Sequence, residues 1–289
     1  MRTTSMPNPL EVFDLGQYEP YLLPAAFAVS IAMLLHMVLR VIYSQRKPFL
    51  RADIFQELPL VEKVSVSHNT RRFRFALPHK LQIMGLPTGQ HITLKAVKAD
   101  GTQIFKPYTP ISDDDQPGFI DFVIKIYPDG RMSQHLDGME VGDKLWFKGP
   151  RGRFQYQPNM KRAIGMLAGG TGITPMYQVA VAILKNGSDR TRISLIFANV
   201  SPDDILIQGE LEALAAKHPD RFKVYYVLNK PPEGWKGGVG FVSKDHIQQH
   251  LPAPDKDVLV VRCGPPLMNK AMKEHLDVLG YTSDMQFEF

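Results

Sequence analysis

The segment Gly169-Gly170-Thr171-Gly172-Ile173-Thr174-Pro175 closes an apolar run that starts at Ala163 and leads into a helical pattern. Glycines at a strand-to-helix turn let the backbone approach a pyrophosphate, and the helix N-terminus turns free N–H groups and a positive dipole end toward it. The segment departs from the G-x-G-x-x-G fingerprint, because Pro175 stands in place of the third glycine; taken alone, it reads as a nucleotide cradle or as a plain structural turn. A second strand end, Cys263-Gly264-Pro265-Pro266-Leu267-Met268, follows the apolar run Val258 to Arg262 and precedes another helical pattern. Ligands of open α/β sheets bind beyond the carboxyl ends of the strands, so the two segments are expected to face one ligand. Cys263 by itself reads more readily as a small buried hydrophobe than as a nucleophile, since the sequence offers it no obvious histidine partner.

A third group lies upstream, in Phe105-Lys106-Pro107-Tyr108-Thr109-Pro110-Ile111-Ser112 and Gly130-Arg131-Met132-Ser133. Lys106 and Tyr108 are two residues apart, so on a strand they point the same way and suit a phosphate and a ring. Ser133 is expected to cap a short helix over QHLDGM, whose free N–H groups would receive a phosphate. A surface lysine, a core tyrosine and a β-turn at Pro128-Asp129-Gly130 are the ordinary alternative.

Two kinds of chain must position these residues. Between Leu60 and Pro150, the runs VEKVSVS, RRFRFAL, HITLKAV, FIDFVIKIY and KLWFKGP have the length and the β-branched or aromatic content of strands, spaced as in a small antiparallel barrel. After Asn159 the rhythm changes: RAIGMLA, RISLIFANV, FKVYYVLN and VLVVRC read as strands, with MYQVAVAILK, LIQGELEALAAKH and LMNKAMKEHLDVLG as helical patterns among them. Strand and helix in alternation predict a parallel α/β sheet. At the start of the chain, Tyr21 to Leu39 carries no charge. As a helix it would be about 28 Å long, close to the thickness of bilayer hydrocarbon. Arg40, Arg46, Lys47 and Arg51 follow it, whereas Glu11, Asp14 and Glu19 precede it with Arg2, so a single span would leave the main body cytosolic. The expected division is a tail over residues 1–20, an anchor over 21–42, a polar linker over 43–54, a barrel domain over 55–157 and an α/β domain over 158–289.

Composition limits the function. The 289 residues are 44% hydrophobic and 22% charged, which excludes a disordered chain. One cysteine cannot form an internal disulfide or supply the four thiolates of an iron–sulfur cluster or an all-cysteine zinc site. A net charge of +5 is too small and dispersed to argue for nucleic acid, but it favours an acidic partner or an anionic membrane surface.

KPYTPIS, GRMS, GGTGITPM and CGPPLM, in this order and with the terminal QFEF, closely resemble the NADH-cytochrome b5 reductase family of ferredoxin-reductase-like flavoproteins, over Phe55 to Phe289. The resemblance implies an N-terminal transmembrane helix, an antiparallel β-barrel FAD domain and an α/β parallel-sheet NAD-binding domain. It implies a hydride transfer from NADH to FAD, followed by single electrons to cytochrome b5 or a similar acidic acceptor. It assigns Lys106 to an FAD phosphate, Tyr108 to the flavin ring and Thr109 to the vicinity of flavin N5. Ile124, Lys125 and Tyr127 match the next flavin-lining strand, and Gly130, Arg131, Met132 and Ser133 the pyrophosphate loop. Gly170, Thr171, Gly172 and Thr174 match the loop between nicotinamide nucleotide and flavin, while Cys263, Gly264, Pro265 and Met268 match the opposite wall, the Cys263 thiol helping to place the nicotinamide without a covalent bond. Phe289 is the expected terminal aromatic of that region.

Two residues depart from the family pattern. Lys106 replaces a frequent arginine, and an ammonium cannot make the bidentate contact of a guanidinium. Asn229 replaces an aspartate that repels the 2′-phosphate of NADPH; NADH is still the expected donor. Lys125, Lys148, Arg151, Arg153, Lys161 and Arg162 are expected to dock an acidic haem protein. The rival readings are the same chemistry serving a small iron-binding protein of diphthamide synthesis, or a membrane-tethered adaptor without flavin. The expected membrane is the mitochondrial outer membrane, with the endoplasmic reticulum as the alternative.

Overall fold

The structure, a computed structural model, describes residues 19–98 and 100–289; the flanking charges Arg2, Glu11 and Asp14 lie outside them. The chain divides into two units, residues 1–46 and 47–289. In the first, helix α1 (Glu19–Gln45) contains a stretch, Leu23–Val41, that is long and apolar enough to cross a membrane, with its side chains exposed.

The second unit holds two six-stranded sheets. The first consists of β1 (Gln56–Ser67), β2 (Thr70–Ala76), β3 (His91–Val97), β4 (Gln103–Tyr108), β5 (Phe119–Lys125) and β6 (Lys144–Arg151), with helix α2 (Arg131–Asp137) between the last two. It is antiparallel in the order β4-β3-β6-β1-β2-β5. Its two edge strands do not pair with each other, so the ladder is open where a closed barrel was expected. Alternation explains its core: Leu58, Leu60, Phe73, Phe75, Ile92, Leu94, Leu145 and Phe147 all turn to one side, as a period of two requires. The segment expected as a polar linker joins the body early. Phe49 and Leu50 are buried in this core, and their amides donate to the carbonyls of Ile83 and Met84 at 3.0 and 3.1 Å.

The second sheet contains β7 (Ala163–Gly169), β8 (Arg192–Asn199), β9 (Phe222–Leu228), β10 (Gly238–Val239), β11 (Val258–Cys263) and β12 (Gln286–Glu288), parallel throughout in the order β10-β9-β8-β7-β11-β12. Helices α3 (Ile173–Lys185), α4 (Gln208–Lys217), α5 (Lys244–His250) and α6 (Pro266–Val278) alternate with its strands. The central strand β7, AIGMLAG, is buried at every position, which is why its sequence is apolar without alternation.

Strand β5 ties the sheets together. Ile120, Phe122 and Ile124 belong to the core of the antiparallel sheet, while Val123, on the opposite face, belongs with Phe154 to the core under the parallel sheet. Asp121, buried on that same face, accepts both hydrogen bonds of a bidentate pair from Arg74 at 2.8 Å each.

Candidate active site

Most of the residues singled out from the sequence surround one cleft of about 760 Å³. Lys106, Tyr108 and Thr109 come from edge strand β4 and the turn after it, and Ile124, Lys125 and Tyr127 from β5 and its extension. Gly130, Arg131, Met132 and Ser133 form the start of α2, facing Thr171, Gly172 and Thr174 after β7, Cys263 and Gly264 after β11, and the terminal Phe289. Gly170, Asn229, Pro265 and Met268 do not line it.

The glycines owe their identity to packing as much as to ligand approach. A Cβ on Gly172 would overlap the Cys263 carbonyl, and one on Gly169 would overlap the Met268 sulfur, with Pro265 next to it. Pro265 and Met268 thus stand behind the β7 strand end and hold it. Gly170 has φ +52° with open space around its Cβ position, so the turn's left-handed conformation is what calls for glycine there.

Ser133 does not cap α2 as expected. The helix starts three residues earlier, with Gly130 at the cap and no side-chain cap bond. Buried, the Ser133 hydroxyl accepts from the Tyr127 amide at 3.1 Å and donates to the Gly130 carbonyl at 3.0 Å. It stitches the loop closed from inside, and a Cβ on Gly130 would collide with it.

Lys125 is likewise not available for docking. Its ammonium is paired with Asp204 at 2.5 Å, with side-chain exposures of 14% and 12%. Asp204 also accepts from the Ser201 amide and hydroxyl, at 3.1 and 2.7 Å. Burial pushes its carboxyl up, but the bonds from Lys125 and Ser201 outweigh this and hold it at about 2. The pair joins the antiparallel sheet to the loop after β8. Lys161 donates to the Lys256 carbonyl, and Arg162 approaches Asp255 at 3.9 Å, whereas Arg151, opposite His91 of the cleft, and Arg153, two residues on, are exposed.

Electrostatics favour an anionic, partly aromatic ligand. Lys106 and Arg131 are exposed cations, and among the described residues neither has an ion-pair partner. Burial, with Tyr127 nearby, pushes the Tyr108 phenol up to about 12, so it is a neutral ring and a proton donor across the physiological range. Burial and then the charge of Glu288 push the Cys263 thiol up to about 11, so it stays protonated. Phe289 packs against Phe154 and Phe287, with ring centroids 5.2 and 5.1 Å away.

The parallel-sheet rim adds residues that the sequence did not reveal. Asn199, 6% exposed at the carboxyl end of β8, has neither amide atom hydrogen-bonded, and the Tyr226 hydroxyl is also buried without a partner. Orphaned polar atoms at a strand-end rim fit a nucleotide that supplies the missing partners. Asn229 donates to the Gly240 carbonyl at 3.0 Å, and the next residue, Phe241, is 85% exposed, an aromatic surface with no burial to explain it. Nothing in the sequence GFVS signals that exposure.

The sequence pattern of the oxidoreductase FAD-binding domain matches residues 57–156, and that of the oxidoreductase NAD-binding domain matches residues 166–274. NADH-cytochrome b5 reductase 1 of Dictyostelium discoideum is 56% identical over 235 residues, covering 81% of this chain and 82% of that protein. Its namesake in Arabidopsis thaliana is 54% identical over 245 residues, covering 85% and 87%. Among solved structures, the cytochrome b5 reductase domain of Ulva prolifera nitrate reductase matches with a TM-score of 0.81 at 39% identity, over 84% of this chain and all of that one. With both cofactor domains matched in order and the shared identity running across both sheets, the chain belongs to the NADH-cytochrome b5 reductase family.

Proposed function

We propose that this chain oxidises NADH at FAD held in the cleft and delivers the electrons one at a time to cytochrome b5. The observation that carries this reading is the convergence of Lys106 to Thr109 and Gly130 to Ser133, on one side, with the two strand ends at Thr171 to Thr174 and Cys263 to Gly264, on the other. FAD supplies the conversion between hydride acceptance and single-electron release.

The chain's own residues bind and align. Lys106 and Arg131 neutralise the diphosphate, Lys106 as a point charge with one contact to give. The Ser133 stitch keeps the Gly130 to Met132 loop in the shape that receives it. The Ile124 backbone, Tyr127 and the aliphatic stem of Lys125 would wall the flavin, and the neutral Tyr108 ring would lie against it. The Thr109 hydroxyl has no side-chain partner among the described residues and holds a proton at flavin N5. Gly170, Thr171, Gly172 and Thr174 on one side, and Cys263 with Gly264 on the other, fix the nicotinamide, with Pro265 and Met268 as their support. The protonated Cys263 thiol positions and does not attack. Phe289 keeps water from the reacting edge, and Asn229 and Phe241 receive the adenosine end. Such alignment of bound reactants is where most of the protein's contribution to rate lies.

Arg151 and Arg153, exposed beside the cleft, are the docking cations for an acidic haem protein. A reductase serving a small iron-binding protein would use the same cleft. We read α1 as a single span with the body in the cytosol, in the mitochondrial outer membrane, the endoplasmic reticulum being the alternative; residues 55–157 and 158–289 are the two cofactor domains. The test is an anaerobic absorbance titration of the full chain with NADH and, in parallel, NADPH. A yellow protein bleached by one equivalent of NADH is the expected result. A colourless protein that takes up no added FAD would leave the flavin-less adaptor.

A further inference from the structure

The solvent side of the antiparallel sheet carries an unusual surface. Register sets Phe105, Lys95, Trp146 and Glu57 side by side across β4, β3, β6 and β1. In the next row, Pro107, Thr93 and Lys148 are aligned. Phe55, just ahead of β1, lies against both rows: the Lys95 and Lys148 ammonium groups sit 4.7 and 5.2 Å from its ring centroid, and the Phe105 ring is 5.8 Å away. Lys95 is also 4.4 Å from the Trp146 ring. Lys144 extends the lysine row along β6, and among the described residues none of these three lysines is ion-paired. Phe105, at the margin of the cleft, is 51% exposed, and Val97 and Ile54 are exposed near it. Half-exposed aromatic rings interleaved with unpaired lysines on one sheet face are the composition of a membrane interface, where rings lie at headgroup depth and long cationic side chains reach lipid phosphates.

The tether gives this face its partner. Helix α1 ends at Gln45, and the body begins at Phe49, whose amide is bonded to Ile83. Four residue steps span at most about 14 Å. The chain then passes Arg51, whose carbonyl accepts from Gly149 beside Lys148, and reaches Phe55 in the patch itself. Arg46 and Lys47, in the connection, add positive charge.

We propose that the face formed by Phe55, Lys95, Phe105, Trp146 and Lys148 rests on an anionic bilayer, so that the enzyme's antiparallel domain is a second, peripheral membrane contact. The proposal depends on α1 being an anchor. Trp146 reports on it directly, because the chain has only two tryptophans and Trp235→Phe leaves Trp146 alone. The full-length holoenzyme carrying Trp235→Phe is reconstituted in phosphatidylcholine vesicles with or without phosphatidylserine, the lipids bearing bromine-labelled acyl chains. Trp146 emission is expected to fall about twofold with phosphatidylserine and much less without it, and Lys95→Glu with Lys144→Glu is expected to reverse the quenching. Unchanged NADH turnover with a small acceptor shows that this variant is folded. Retention on the vesicles with no quenching of Trp146 overturns the contact and leaves the anchor standing. Release from the vesicles overturns the anchor and the contact together. Shielding of Trp146 only when an acidic acceptor protein is added assigns the face to that partner and overturns the membrane reading.

Discussion

A side chain at Gly172 would run into the carbonyl oxygen of Cys263, so the ends of β7 and β11 touch backbone to backbone. The obstructing atom is main chain and cannot swing aside. Gly172→Ala must therefore part the two strand ends proposed above to hold the nicotinamide. The expected outcome is a protein with its full flavin content whose NADH-driven flavin reduction is slower by at least about tenfold, or ~1.4 kcal/mol of barrier. Stopped-flow absorbance measures it; an unaltered rate would mean that this spacing does not govern donor placement.

The pair between Lys125 and Asp204 predicts an acid-sensitive join between the two sheets. The Asp204 carboxyl is held at about 2, below its ordinary 3.8, so its stabilisation is present above pH 4 and is lost as pH falls toward 2. Asp204→Asn is expected to cost 1–2 kcal/mol (order of magnitude) at neutral pH and to flatten the dependence in that window. Urea unfolding of the holoenzyme between pH 2 and 5, followed by flavin and tryptophan fluorescence, tests both.

The proposed seat of the adenosine end at Asn229 predicts that this residue sets donor choice. Asn229→Asp places a negative charge on the exposed rim near Phe241, where the 2′-phosphate of NADPH would lie. Use of NADPH should drop about tenfold in kcat/KM, while NADH changes little, and the effect should shrink as salt screens it. Equal losses for both donors would move the adenosine end elsewhere.

For Cys263, a thiol pushed up to about 11 predicts no thiolate limb in the pH profile of flavin reduction from 6 to 9. Alkylation by iodoacetamide should be slow at neutral pH. Cys263→Ser should retain most of the flavin and reduce the rate by a modest factor, a loss of placement alone. A profile that rises with deprotonation near neutrality would show a reactive thiolate.

The strand-end motifs were legible because they combine a continuous apolar run, such as Ala163 to Ala168, with glycines where backbones must meet. What the sequence does not announce depends on separation or on single atoms. Lys125 and Asp204 are 79 positions apart, and nothing local to FVIKIY or SPDDIL announces their pairing. Ser133 followed a turn and looked like a cap, but the helix began earlier and turned its hydroxyl inward. Phe49 and Leu50 sit among Arg46, Lys47 and Arg51, so the segment read as polar although two of its residues complete a core. Helix α5 buries only Ile247, and β12 has three residues, too little pattern for a period to emerge.

Strand β5 gives one face to each core, through Ile120, Phe122 and Ile124 on one side and Val123 on the other, with Phe154 reaching across from the same half of the chain. The two halves therefore cannot be exchanged between relatives as independent cassettes. A chimaera joined between the cofactor domains would inherit a parallel-sheet core in which two of the buried residues come from the other parent, and its folding would depend on whether those two side chains fit their new neighbours.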